Sequence, residues 1–247
     1  MILTASLTIV SLIASVILAL SGLGSPLAVA HLAFAVGIVP LIFAAMIHFV
    51  PVLTRTGDPA RRLVLLPSAA QVSGLLAVTA MQGWLPYRGV HLAAMVDLIL
   101  AAMLIYWMIG RARAALGSPH PGWRWYGAAV GCLMLALLAI LLIAIWPSYW
   151  RSLRLFHLHL NILGFVGLAA LGTLPVLLPT ALGKPDPEAG NWLRRRWWLA
   201  GCGVLIIALG AAIKWEFAAP GTALLLVAAC GLLGQWLRRF GFSSLLR

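Results

Sequence analysis

Eight times along this chain an apolar run long enough to cross a bilayer gives way to a short polar gap, and no other feature restricts the fold as strongly. The runs fall at roughly 2–20, 26–50, 63–84, 90–110, 125–146, 153–178, 195–214 and 218–237. A hydrocarbon core is crossed by roughly 20 helical residues. Water is absent there, so backbone N–H and C=O groups must be satisfied within the helix. Composition agrees, with 63% hydrophobic and 9% charged side chains over 247 residues, against about 25% charged in a soluble domain. A sizeable soluble domain is excluded. The expected fold is an all-α polytopic membrane bundle of eight transmembrane helices, one integral membrane domain over 1–247. The first run is expected to be a span and not a cleaved leader, because no basic segment precedes it. Turn residues such as Gly24, Pro26, Gly57, Pro59, Gly117, Pro119, Pro121, Gly183, Pro185 and Pro187 punctuate the gaps.

The formal charge of +12 would suggest nucleic acid in a soluble protein. Here the basic residues sit between apolar runs, so they read as topology determinants and no nucleic acid is expected. Arg55, Arg61, Arg62, Arg111, Arg113, Arg124, Lys184, Arg194, Arg195, Arg196, Arg238, Arg239 and Arg247 share one side, 13 of the 17 basic residues. Only Arg88, Arg151, Arg154 and Lys214 occupy the other. This asymmetry predicts a bacterial inner-membrane protein with both termini cytoplasmic. Cys132, Cys202 and Cys230 lie singly in apolar runs, which indicates neither a disulfide framework nor a zinc site.

His31, Leu32 and Pro51 of the second run precede His159, Leu160 and Pro179 of the sixth by 128 positions. Each segment is the second span of a four-span half, which predicts a parallel 4+4 repeat with halves 1–120 and 121–247.

Five of the six histidines fall within or at the ends of spans, where ionisable groups are rare and usually functional. His31, His91, His157 and His159 enter three spans from the side poor in basic residues, at one expected depth. His48 lies 17 residues beyond His31, about 25 Å deeper at 1.5 Å per residue. It belongs to no common mononuclear site with them. His120 is expected in a solvated loop. His157 and His159 are spaced i, i+2, so they point about 200° apart on a helix and serve opposite sides of it. Imidazole suits haem iron, copper and zinc, and the lack of neighbouring carboxylates other than Asp97 argues against a hard-cation site. A membrane histidine also serves as a plain interhelical hydrogen-bonding group.

The segment from Phe156 through His157, His159, Asn161, Gly164, Phe165 and Gly167, followed by Gly172 and Pro179, resembles the HxH helix of haem-copper oxidase subunit I. The similarity is to the C-type and nitric-oxide reductase branch. That resemblance implies that His159 and His31 form the axial pair of a low-spin haem b. It implies that His157 faces a second haem or a metal. The chain departs from that family in having spans for two four-helix arcs instead of three. It also has no adjacent His-His pair for a copper site, so a complete oxygen reductase is not implied. In hydropathy and in its histidine-led helices the chain also resembles short NnrS-type membrane proteins.

Arg151 and Arg154 stand where haem propionates would lie, and interfacial snorkelling accounts for them equally. Asp97 is the only carboxylate inside a span and needs a partner or a proton; a histidine N–H, a water-filled route and a protonated acid are the options, in that order. Asn161 can orient a ligand or bond a backbone carbonyl. Gly164, Gly167, Gly172, Ala169 and Ala170 make a smooth face for helix packing or for a flat macrocycle.

The expected function is a b-type cytochrome with one or two haems bound by His31 and His159, and His157 with His91 at a second haem or copper. It would transfer electrons with a periplasmic carrier or quinol, or bind a diatomic gas. The rival expectations are a haem-free transporter, for which Gly37, Pro40 and Pro175 are the only helix-breaking candidates, a copper-handling permease, and an anchor subunit of a respiratory complex. Homo-oligomerisation is compatible with each.

Overall fold

The computed structural model describes residues 2–241, which leaves Arg247 outside the described residues. Among the described residues the fold is all-helical, with eight helices long and apolar enough to cross a membrane. They are α1 (Ile2–Ser21), α2 (Pro26–Thr54), α3 (Arg61–Met81), α4 (Arg88–Arg113), α5 (Gly122–Ile145), α6 (Pro147–Ala181), α7 (Ala189–Ile213) and α8 (Trp215–Phe240). The expected spans all occur. The observed helices run several residues past the apolar limits of α2, α4 and α6, because basic and proline-bearing ends continue the helix beyond the hydrocarbon.

α2 and α6 are not uniform. Each contains a π-helical stretch, Leu32–Ile38 in α2 and Leu160–Gly167 in α6. π-turns inside α-helices are rare and occur often at functional sites. Pro40 opens the α-helical turn after the first of them and Pro175 lies inside the α-helical end of α6, so neither breaks its span.

Contacts divide the chain into two compact units. The first holds residues up to Pro119 with Leu137–Pro147; the second holds His120–Ala136 with residues from Ser148 onward.

In the first unit, α1 has an inverted pattern. Thr4, Thr8, Ser11 and Ser15 are buried, while Ile2, Leu3, Ile9, Val10, Ile13, Val16 and Ile17 are exposed. Water would reverse that arrangement; lipid favours it, since small polar residues let helices approach and bond across the interface. Thr8 donates to the Gly37 carbonyl of the π-stretch at 3.0 Å, and Ser15 donates to the Val29 carbonyl at 3.0 Å. On the other side Gly74 of α3 lies against the same stretch so closely that a Cβ there would sit 2.6 Å from the Ala35 oxygen. Ser25 caps α2 by accepting from the Ala28 N–H, with Pro26 in the first turn. Gln82 fixes that cap, accepting from the Ser25 N–H at 2.9 Å and donating to the Leu23 carbonyl at 2.8 Å.

In the second unit the buried Trp125 stacks on Trp192 and donates to the Leu193 carbonyl at 2.9 Å. Gly203 of α7 and Gly221 of α8 press backbone on backbone, as small residues allow in lipid. The connection before α7 is fastened by Asp186, whose buried carboxylate accepts from Gln235 Nε2, from the Glu188 N–H and from Arg239.

Candidate functional site

His31 and His159 occupy matching local positions. Each is the last α-helical residue before a π-stretch. Each holds its ring by an Nδ1 hydrogen bond to the carbonyl four residues earlier, His31 to Leu27 and His159 to Leu155, both at 2.8 Å. A carbonyl only accepts, so Nδ1 carries a proton in each ring. That arrangement is the one in which a histidine ligates through Nε2 while the other ring nitrogen fixes its orientation. The separation of 128 positions in the sequence is thus matched in backbone geometry: the π-stretches also begin 128 residues apart, at Leu32 and Leu160.

His157 is used differently. Its Nδ1 lies 2.9 Å from the Ala136 carbonyl of α5, and the Asn161 amide nitrogen lies 3.3 Å from both ring nitrogens while donating to the His157 carbonyl at 2.9 Å. Asn161 therefore bonds a backbone carbonyl, one of the two roles expected of it. The ring of His157 is fastened across a helix interface, whereas that of His159 is fastened to its own helix.

His91 lies in the first turn of α4, edge-on to Tyr87 with ring centroids 5.5 Å apart. Its Nε2 is buried and has no hydrogen-bond partner. His31 and His91 lie near the N-terminal ends of α2 and α4. Asp97, two turns further into α4, has its Oδ1 buried without a partner, and the Ser73 hydroxyl is the side chain beside it. Among the described residues no histidine N–H meets Asp97, contrary to the first-ranked expectation. Arg154 stacks over Trp150 at 5.2 Å, and neither Arg151 nor Arg154 enters an ion pair among the described residues. Among the described residues no three His, Cys, Asp or Glu side chains assemble into a metal-binding cluster.

Gly164 and Gly172 answer the question their sequence left open. A Cβ at Gly164 would meet Cys132 at 2.5 Å, and one at Gly172 would meet Trp125 at 2.6 Å. Both glycines are filled by helix packing against α5, not by clearance for a macrocycle. His48, expected to stand apart, is exposed at the far end of α2. His120 lies between α4 and α5, where its Nδ1 accepts from the Gly122 N–H at 3.2 Å. Burial, then the Arg194 charge, hold its ring below the usual histidine value of 6.5, so it is less solvated than its loop position implied.

Sequence reasoning missed the two π-stretches, which carry no composition of their own. The only available signal was the recurrence of His-Leu at a fixed separation. It also treated Arg55 and Arg111 as topology charges alone, although both shape a pocket described below. Fold and site together define a multi-pass helical membrane protein carrying two histidines in matching backbone settings, each just ahead of a π-stretch. The chain matches no protein-family model, no curated protein and no solved structure.

Proposed function

We propose that this protein is a b-type cytochrome of the bacterial inner membrane, in which His31 and His159 supply imidazole nitrogens to haem iron. The observation that carries the reading is the repeated histidine setting: two rings anchored at Nδ1 to their own helix at 2.8 Å, each at the entrance of a π-stretch. An imidazole so anchored presents Nε2 as a pre-oriented donor, which suits a flat group inserted into an apolar bundle. The fit is chemical: imidazole nitrogens suit haem iron, and a porphyrin tolerates an apolar helical bundle. When bound, haem iron supplies one-electron redox chemistry or a site for a diatomic gas.

The protein's own residues do the remaining work. The Leu27 and Leu155 carbonyls hold the tautomer, and Arg151 and Arg154, exposed at the start of α6, offer cations to propionates. The parallel 4+4 repeat belongs to this reading, each half contributing one histidine. So does the orientation, with the basic connections on the cytoplasmic side. Electron exchange would be with a periplasmic carrier or quinol.

A second reading, copper handling that involves His91, is favoured by one observation: its buried Nε2 lacks a partner among the described residues. The test for both is a reduced-minus-oxidised spectrum of purified protein with a pyridine haemochrome count and a copper assay. A sharp alpha band that His159→Ala removes, with His31→Ala behaving likewise, supports the cytochrome. Haem content unchanged in His159→Ala overturns it, and copper without a Soret band transfers the histidines to the second reading.

A further inference from the structure

At the end of the first unit opposite to His31, a cavity of about 480 Å³ opens between α1, α2, α3 and the connection after α2. One face of α2 lines it through Ala44, His48 and Val52, spaced so that they stack along a single helical lane that ends at the cap residue Arg55. The lane is apolar at Ala44, with Ile47 and Pro67 beside it, and ends at a polar rim of Arg55, Thr56 and Asp58. Nothing in the haem reading uses this cavity, and the 17 residues from His31 to His48 put it about 25 Å along the helix from that histidine.

Two observations mark the rim as built. Arg55 caps the C-terminus of α2 directly after Thr54 and has φ of 52°, the only non-glycine residue with positive φ among those described. It closes the helix with Thr56 N–H donating to the Pro51 carbonyl at 3.0 Å. Glycine is the usual occupant of such a position, and an arginine there is strained. Next, Arg111 donates to the Gly57 and Asp58 carbonyls at 2.9 and 2.8 Å, pinning the connection in place with its own guanidinium. Neither Arg55 nor Asp58 has an ion-pair partner among the described residues. An exposed cation and an exposed anion, neither in an ion pair among the described residues, therefore stand on a pinned backbone at the mouth of an apolar lane in a membrane protein.

We propose that this cavity binds a phospholipid with a phosphoethanolamine headgroup. Arg55 takes the phosphate, as guanidinium groups do in fork geometry. Asp58 takes the primary ammonium, and the acyl chain lies along Ala44, Ile47 and Val52. His48, two helical turns deeper than Arg55, offers a ring N–H at the level of the ester oxygens. A purely anionic headgroup would leave Asp58 facing like charge, and a quaternary ammonium would give it no N–H to accept.

The experiment is native mass spectrometry of the full chain in detergent, mixed in turn with phosphatidylethanolamine, phosphatidylglycerol and phosphatidylcholine of one acyl composition. The unmodified protein is expected to retain phosphatidylethanolamine preferentially. Arg55→Gly, which suits the backbone better, is expected to lower that retention about tenfold, the loss of one charge-assisted contact. It should melt at or above the unmodified protein in lipid-free detergent, which separates lost binding from misfolding. Asp58→Asn is expected to erase the preference over phosphatidylcholine. Equal retention of the three lipids, or unchanged retention in Arg55→Gly, would overturn the proposal. Free phosphoethanolamine binding as tightly as the lipid would assign the site to a soluble ligand and overturn the lipid source.

Discussion

Replacing Gly74 with alanine should reach the candidate ligand histidine from another helix. A Cβ built at Gly74 lies 2.6 Å from the Ala35 oxygen, 2.7 Å from its carbonyl carbon and 3.0 Å from the Val36 nitrogen. All three are backbone atoms of the π-stretch that begins next to His31, so no side-chain rotation relieves the clash. Ordinary contact begins at 3.4 Å, and 3.4 − 2.6 requires a local retreat of 0.8 Å. Overpacking costs about 1–3 kcal/mol, and a rigid backbone partner puts this case at the upper end. Alanine's better helix propensity offsets about 1 kcal/mol of that. The net destabilisation of about 2 kcal/mol lowers the melting temperature by roughly 4–8 °C for a chain of this size. Gly127→Ala is the matched control: a Cβ there meets nothing within 4 Å. The same propensity gain, about 1 kcal/mol, then stands alone and raises the midpoint by roughly 2–4 °C. The assay is thermal unfolding in one detergent followed by a fluorescent thiol or by tryptophan emission. The two variants should move in opposite directions, and on the proposed function Gly74→Ala also lowers haem content. If Gly74→Ala melts with Gly127→Ala, the close approach of α3 to the π-stretch is not the constraint argued here.

The remaining predictions concern the second unit. Asp186→Ala strips the acceptor from Gln235 and Arg239, a loss of about 1–3 kcal/mol. Amide exchange over residues 232–240 should accelerate, and unchanged exchange would show that the carboxylate does not hold α8. For His120 the folded ring favours the neutral form, so the unfolded chain binds the proton more readily. Its contribution is fully present above the unfolded value of 6.5 and is lost as pH falls from there through the lowered folded value. Denaturant midpoints measured from pH 7.5 to 5 should fall more steeply than in His120→Asn. Parallel curves would remove this histidine from the acid sensitivity.

The sequence legible by itself stops at a definite level. Apolar run length against bilayer thickness is a local quantity, so all eight spans and their connecting gaps could be read off before any packing was known. The placement of His31, His91, His157 and His159 near span ends follows from the same count. Their chemistry does not. The contrast between His159, bonded to its own helix, and His157, bonded to Ala136 of α5, depends on which helix stands opposite. Likewise Gly164 and Gly172 read equally as packing and as clearance until Cys132 and Trp125 were seen against them.

What the sequence determined is the solvent, the number of crossings and the level at which polar groups sit, because each residue's transfer into lipid is decided largely by its own side chain and its near neighbours. Only the tertiary structure decided where helices widen into π-turns, which ring nitrogen carries the proton and how Arg55 and Asp58 rim one cavity. Those depend on distant partners: Thr8 bonding the Gly37 carbonyl, Gly74 pressing on Ala35, Arg111 pinning the connection after α2. A backbone carbonyl released by a widened turn must find a donor somewhere, and in lipid that donor comes from another helix.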